Sequence, residues 1–184
     1  MTLAEALAQV AQLTVSIPVE LILASGLYDD ATSGGVIDGG NLTLGPFTQA
    51  SKFFLVGADG AVLRASALAA PIITIESGAP EAVVAGLRFE GSGSHPSIIV
   101  LGSSLQIQSC IFASNSAGAL RIQAGELVVS DSTFAGNGDP AIRGGALQVF
   151  GGSLHVAGSV FELNRGHEGG AILIESTAII QRYS

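Results

Sequence analysis

Four polar side chains in the second half of the chain, Arg143, Arg165, His167 and Glu168, are the best local candidates for binding chemistry. Each comes just before a short apolar segment in successive copies of a sequence repeat, so stacking of the copies would bring them within reach of one another. Guanidinium and imidazole groups beside one carboxylate could bind an anionic sugar or the acidic patch of a partner. The alternative interpretation is a set of ordinary polar turn residues with an exposed ion pair, which contributes little energy.

Cleavage of a polysaccharide would need acids in a defined arrangement. Hydrolysis requires two carboxylates that face each other across the sugar, and a lyase requires clustered acids for Ca2+ together with a basic side chain. The acids of this chain are scattered, and the adjacent pair Asp29 and Asp30 lies in a segment typical of a solvated turn. We therefore predict no catalytic residue. The acids that fall at different phases of the repeat are Glu126, Asp131, Asp139, Glu162, Glu168 and Glu175.

No metal or cofactor site is predicted. His95, His155 and His167 occupy different phases of the repeat, and no pair of them has the spacing of metal ligands on a helix. Cys110 is the single cysteine, so neither an internal disulfide nor a cysteine metal site can form. The other copies of the repeat have serine at this position, which favours a small buried side chain over a reactive thiol.

A repeated phrase must position these side chains. Its pattern is Leu-x-Ile/Val-x-x-Cys/Ser-x-Phe-x-x-Asn, and its copies begin 22 and then 27 residues apart. A period in the twenties with apolar residues at alternate positions is typical of a solenoid, in which each coil buries its apolar face against its neighbours. A weaker fourth copy begins at Ala82 and has Ser92 at the Asn position. The full copies are Leu105–Asn115, Leu127–Asn137 and Leu154–Asn164.

A second strand is predicted in each coil, and its successive side chains should alternate between the core and the outside. The two-residue period, the β-branched residues and the regularly placed glycines disfavour helices. The sequence therefore predicts an all-β fold, a right-handed parallel β-helix with coils of about 22–27 residues. Alternation sends Leu120, Leu147 and Ile172 inward and Arg121, Gln148 and Leu173 outward.

Two ladders should run along the core of such a β-helix. Phenylalanines would stack from coil to coil, and asparagines would stack at a bend, where each amide bonds the next and satisfies polar groups that are costly to bury. The phenylalanine ladder would contain Phe89, Phe112, Phe134 and Phe161, and the asparagine ladder would contain Asn115, Asn137 and Asn164.

The chain is predicted to be a single domain, residues 1–184. Residues 1–18 would form a cap with an amphipathic α-helix from Thr2 to about Leu13, since Thr2 and Glu5 have capping-box spacing. Residues 19–51 would hold the first strand and a turn-rich excursion from Gly26 to Gly45, and residues 52–184 would form regular coils. The last coil lacks its Phe and Asn, so we expect a truncated C-terminal end, or an end that another chain covers.

Composition excludes some partners. The formal charge of −8, with 7 Lys and Arg against 15 Asp and Glu, provides no basic stripe for a nucleic acid. No apolar run approaches the roughly 18 residues of a membrane helix, and no signal peptide is recognisable at the N-terminus. Charged residues are only 12% of the chain, about half of the usual share. Such a surface is either covered with small polar residues or partly covered by another subunit.

Two short motifs resemble the repeats of the polymorphic outer membrane protein family, within the wider group of pectin-lyase-like β-helices. Phe-x-x-Asn stands at Phe112–Asn115, Phe134–Asn137 and Phe161–Asn164, and Gly-Gly-Ala-Ile/Leu stands at Gly144–Leu147 and Gly169–Ile172. The resemblance covers roughly residues 98–176. It implies a β-helical, adhesin-like domain displayed outside the cell or at its surface. The signal sequence and membrane barrel usual in that family are not in this sequence.

The expected function is therefore a non-catalytic scaffold that binds a protein partner or a second copy of itself. Contact would involve the open C-terminal coil or outward apolar side chains. A carbohydrate-binding or polysaccharide-cleaving β-helix is the alternative, and a groove with two or more acids on one sheet would favour it. The predicted contact residues are Ile99, Val128, Leu173 and Ile179.

Overall fold

The computed structural model describes residues 5, 9, 12, 17–29, 42–45, 50–65, 70–175 and 179–182. Its strands, numbered in chain order, form three parallel sheets. Sheet A contains β1 (Ile17–Leu23), β4 (Ala50–Gly57), β7 (Glu81–Ala85), β10 (Ser103–Gln108), β13 (Gly125–Ser130), β16 (Ser153–Ala157) and β19 (Ile179–Arg182). Sheet B contains β2 (Gly26–Asp29), β5 (Ala61–Arg64), β8 (Arg88–Glu90), β11 (Ile111–Ala113), β14 (Thr133–Ala135) and β17 (Val160–Glu162). Sheet C contains β3 (Leu42–Leu44), β6 (Ile73–Ile75), β9 (Ile98–Val100), β12 (Leu120–Ile122), β15 (Leu147–Val149) and β18 (Ile172–Ile174).

The chain visits the three sheets in turn, so each strand pairs with the strand three places later. This is the predicted right-handed parallel β-helix, with the hand that crossovers between parallel strands adopt. The register joins equivalent residues of the repeat, since Leu105 pairs with Leu127 and Leu127 pairs with Leu154. The predicted solenoid and its phase are confirmed.

The repeated phrase forms two strands rather than one, because a sharp turn interrupts it. In the copy that begins at Leu105, β10 ends at Gln108, and β11 begins at Ile111. Ser109 between them has a left-handed φ of 50°, and its equivalents Gly86, Asp131 and Gly158 also have positive φ. A positive φ turns the chain from sheet A to sheet B, and each coil therefore has three strands.

The regular coils begin earlier than predicted, at Ile17 rather than at residue 52. The segment expected to be a turn-rich excursion contains β2 and β3, which complete a first coil with β1. Leu42 and Leu44 of β3 are buried, and they pair with Ile73 and Ile75 of β6. Strands of three or four residues bordered by glycines show too little alternation to be recognised in a sequence. The predicted capping helix lies almost wholly outside the described residues.

The phenylalanine ladder is confirmed and fills the core beside sheet B. The rings of Phe89, Phe112, Phe134 and Phe161 stack with centroids 4.8, 4.9 and 4.7 Å apart and with nearly parallel planes. Each stacked pair is worth roughly 0.5–1.5 kcal/mol beyond the area that it buries. The ladder fixes the register, because a shift of one residue would turn every ring to the solvent.

The asparagine ladder is confirmed at the bend between sheets B and C. Asn115 donates through Nδ2 to Asn137 Oδ1 at 2.8 Å, and Asn137 donates through Nδ2 to Asn164 Oδ1 at 3.0 Å. Each amide also donates to the carbonyl of a phenylalanine in the preceding coil, as Asn137 does to Phe112 at 3.0 Å. Ser92 continues the ladder through its backbone N–H, which donates to Asn115 Oδ1 at 3.1 Å.

The Gly-Gly motif allows coils to pack closely where the chain enters sheet C. Gly144 has a φ of 74°, and a Cβ on Gly145 would come within 1.8 Å of the Gly170 carbonyl oxygen. The Gly145 N–H donates at 3.0 Å to the Gly169 carbonyl in the next coil. The first glycine is thus required by conformation and the second by space.

Candidate functional site

The predicted polar cluster is only partly assembled. Arg143 and Glu168 lie in adjacent coils and are joined by a parallel β-bridge. Arg143 contacts Glu168 Oε2 through Nε at 2.8 Å and through Nη2 at 2.7 Å, and its Nη1 lies 2.6 Å from Glu175 Oε1. Hydrogen bonding to Glu168, then the charges of Glu168 and Glu175, raise the pKa of Arg143. Two carboxylates therefore occupy this guanidinium, which leaves little of it for an anionic ligand.

Arg165 and His167 do not join that ion pair. Both side chains are exposed, and each residue donates a hydrogen bond through its backbone, from Arg165 N to Asn137 O at 2.8 Å and from His167 N to Ile142 O at 2.6 Å. The cluster of four is thus one exposed ion pair, Arg143 with Glu168, and two separate solvent-facing side chains. No common ligand site for the four residues is evident in the part of the chain that the structure describes.

The outer face of sheet C is more covered than alternation predicts. Gln148, expected to face outward into solvent, is only 2% exposed. Its Nε2 donates to the carbonyls of Gly144 at 3.1 Å and Ala117 at 3.4 Å, and its Oε1 accepts from Arg121 Nε at 2.8 Å. The turns before the strands fold back over this face. Burial lowers the pKa of Arg121, whose guanidinium also lies 5.7 Å from the ring centroid of Phe150.

The predicted apolar contacts are therefore poorly placed. Ile99 is only 9% exposed and lies between Thr74 and Arg121 in the adjoining strands of sheet C. It is a covered residue rather than a contact residue, which corrects the prediction. Val128 and Leu173 are half-buried. The side chain of Ile179 lies outside the described residues.

Strongly exposed apolar side chains lie at sheet B and at the turn that follows β17, and others lie in the first coil, where Ile22 of β1 is 68% exposed and Leu27 of β2 is 50% exposed. Val160 is 52% exposed, Leu163 is 81% exposed, and Ile111 is also exposed. Ile111, Thr133 and Val160 form one outward row across β11, β14 and β17. The sequence signal was available, since these residues immediately precede the inward phenylalanines. It was missed because the turn inside the repeated phrase was not recognised.

The outer face of sheet B also carries an ion-paired carboxylate. Glu90 of β8 accepts from Arg88 Nε at 2.8 Å, and its other oxygen accepts from Arg64 of β5. The hydrogen bond from Arg88, and then that from Arg64, lower the pKa of Glu90 against the opposing effect of burial. A carboxylate held ionised between two arginines is suited to linking coils and unsuited to acting as a general acid.

On sheet A, three polar side chains are linked to one another beside the aromatic ring of Phe54. Lys52 Nζ lies 2.8 Å from Glu81 Oε1 and 5.5 Å from the ring centroid of Phe54. Gln106 Nε2 donates to the same Glu81 oxygen at 2.6 Å. A surface cavity of about 300 Å3 adjoins this group and is lined by Pro18, Val19, Glu20 and Phe54.

Cys110 is a core residue. Its Sγ lies 3.3 Å from the Gln108 carbonyl and 3.5 Å from the Val84 carbonyl, and its backbone N donates to Ser132 Oγ at 3.1 Å. Burial raises the pKa of its thiol to about 11. It is therefore protonated at neutral pH and shielded from reagents, as its serine equivalents suggested.

Within the described residues, no group of three or more His, Cys, Asp or Glu side chains could hold a metal ion. No helix of the described part is long and apolar enough to cross a membrane. Comparisons with protein-family models, with curated proteins and with solved structures found no match.

Proposed function

We propose that this chain is a non-catalytic β-helix that acts as an assembly scaffold through the outward side chains of sheet B. The observation that carries the proposal is the exposure of Ile111 and Val160 on the outer face of that sheet and of Leu163 at the turn that follows it. Exposed apolar side chains grouped on one face are typical of protein contact sites. Display outside the cell or at its surface is part of the proposal and rests on the resemblance of the repeat motifs.

The arrangement of the ionisable groups supports a structural role. Glu90 links β5 to β8, Glu81 links β4 to the Gln106 of β10, and Glu168 binds Arg143 across two coils. These carboxylates connect neighbouring coils, and each has a cationic or amide partner. A glycoside hydrolase would instead need two carboxylates free to act on opposite sides of a sugar.

Carbohydrate binding is the second candidate, and one observation favours it. The cavity beside Phe54 combines an aromatic ring with Glu20, and the group of Lys52, Glu81 and Gln106 supplies hydrogen-bonding atoms nearby. An aromatic face with adjoining polar groups is a common way to bind a sugar. Such a site would bind a sugar without cleaving it, because Glu81 is already held by Lys52 and Gln106.

Two measurements on the intact chain separate these functions. Light scattering over a wide concentration range should show a molar mass that rises above that of the 18.4 kDa monomer. Incubation with a panel of acidic and neutral polysaccharides should release no new reducing ends or unsaturated products. A strictly monomeric chain that binds or cleaves one of these polymers would overturn the scaffold proposal, and Phe54→Ala would then identify the sugar site.

A further inference from the structure

The corner that follows β17 departs from the equivalent corners of the other coils. The position of Leu163 is occupied by Gly91, Ser114 and Gly136 in the preceding coils, and the position of Arg165 by Gly93, Ser116 and Gly138. Small residues suit this corner because the backbone turns there with a positive φ, which is 54° at Leu163. A bulky side chain in that conformation is strained.

Among the residues that the structure describes, the strained leucine gains little from burial. Leu163 is 81% exposed and Val160 is 52% exposed. Glu162 and Arg165 are exposed on either side of Leu163, and neither has an ion-pair partner among the described residues. Leu163 thus combines a strained backbone conformation with an apolar side chain exposed to water. Both lower the stability of the fold, and a function at this corner would explain why they are kept.

We infer that this corner is a two-fold contact between two copies of the chain, an inference that rests on the proposed scaffold function. A two-fold interface requires a patch that complements itself. Here an apolar centre of Val160 and Leu163 is flanked by one acid and one base. A two-fold axis through Leu163 would set Glu162 of each copy against Arg165 of the other, and both charges would then be neutralised.

Charge complementarity favours a second copy over an unrelated acidic partner. An acidic partner would pair with Arg165 but would face an unpaired Glu162, whereas a second copy satisfies both. The net charge of −8 opposes association at long range, so the local ion pairs and the apolar contact must exceed that repulsion. The contact is small, and we expect it to be weak and reversible.

A charge-reversal cycle tests the contact. Glu162→Arg sets two pairs of like charges against each other across the axis, and Arg165→Glu does the same with acids. Each single variant should reduce the dimer fraction in light scattering at least about tenfold, in keeping with the couplings of close charge pairs. The double variant should restore it. Asp59→Arg, an exposed residue in the turn before β5 and four strands away in sheet B, changes net charge as much and should leave association intact.

Leu163→Gly distinguishes the contact from a structural role. It relieves the positive φ, so the thermal midpoint should rise while the dimer fraction falls. Dimers that persist in both charge-reversal variants and in Leu163→Gly would overturn the contact and leave the scaffold function standing. A chain that is monomeric up to its highest soluble concentration would overturn both.

Discussion

At the scale of single residues, left-handed backbone positions are the clearest source of strain in this fold. Ser109 has a φ of 50° at a turn where Gly86 and Gly158 stand in other coils. A left-handed conformation costs an ordinary residue roughly 1–2 kcal/mol, and glycine almost nothing. Ser109→Gly should therefore increase the free energy of unfolding by about 1 kcal/mol in urea denaturation.

Ser104→Gly is the matched control for that variant. Ser104 lies within β10, where the backbone is extended and glycine is unfavourable. The substitution should lower the free energy of unfolding by roughly 0.5–1 kcal/mol. Two serine-to-glycine changes five residues apart should thus have opposite signs. Destabilisation by both would contradict the strain assigned to Ser109.

Asn137 is the most connected side chain of the asparagine ladder. It accepts from both the backbone N–H and the Nδ2 of Asn115, and it donates to Phe112 O and to Asn164 Oδ1. Asn137→Ala would leave several buried groups without partners, each worth about 1–3 kcal/mol. Chemical denaturation should show that the free energy of unfolding falls by roughly 3–5 kcal/mol.

Gln108→Ala is the control for the ladder variant. Gln108 is exposed, and its side chain makes one long hydrogen bond, to Gln106 at 3.4 Å. Its removal should change the free energy of unfolding by less than about 0.5 kcal/mol. Equal losses from Asn137→Ala and Gln108→Ala would show that the ladder is not a main source of stability.

At the scale of elements, the glycine before sheet C sets the spacing of the coils. Gly145→Ala would drive a methyl group into the Gly170 carbonyl and the backbone of Arg165. We expect the free energy of unfolding to fall by at least about 3 kcal/mol, which is near the upper end of the effects of single substitutions. Gly93 is exposed with open space around its Cβ position. Gly93→Ala should therefore leave the stability unchanged when both variants are compared by thermal unfolding.

The arginine pair around Glu90 makes the joint between β5 and β8 sensitive to pH. The pKa of Glu90 is lowered in the folded chain from its ordinary value of 4.5. A lowered pKa contributes stability at neutral pH that is lost as the pH falls through the folded value. In Glu90→Gln, the thermal midpoint should therefore fall less steeply between neutral pH and about pH 3.

The exposed Glu20 provides the control for the pH measurement. Glu20→Gln should keep the steep acid dependence of the unmodified chain. The effect at Glu90 should be modest, because Arg64 and Arg88 are each about 40% exposed and water screens their charges. Identical pH profiles for Glu90→Gln and the unmodified chain would contradict the role of this joint.

Elements with a repeated signal could be predicted from the sequence, and the others could not. Phe112 and Asn115 recur in phase, so their ladders follow from the period alone. The strand at Leu42–Leu44 occurs once and is bordered by glycines, so no period identifies it. Ile99 was assigned to the surface by alternation, but alternation gives only the face of a sheet and not whether turns cover that face.

The candidate site was less predictable than the fold, for the same physical reason. Stacking placed Arg143 beside Glu168 as expected. Whether the Arg143 guanidinium is free to bind a ligand depends on residues outside the repeated phrase, and here Glu175 is its second carboxylate partner. The corner at Leu163 is visible in the sequence only as a bulky residue where the other coils have Gly or Ser. Its strain becomes evident only from the positive φ of Leu163, which the sequence does not give.

At the scale of the whole molecule, the coils are held together by links between neighbouring coils, and the outer face of sheet B keeps apolar side chains exposed. Stacked rings, the asparagine ladder and coil-to-coil ion pairs supply the internal links. A solenoid of this kind is a rigid support on which a few outward residues can determine what it binds. The low charge content of 12% fits a surface that is partly covered in use.

The molar mass of the unmodified chain in solution tests the central claim most directly. Light scattering from dilute solution up to the solubility limit should show a reversible rise from monomer to dimer. The same series with Leu163→Gly should remain close to the monomer mass while the protein stays folded. A monomer mass throughout the unmodified series would contradict the assembly function, and sheet A with its Phe54 cavity would then be the face to test for carbohydrate.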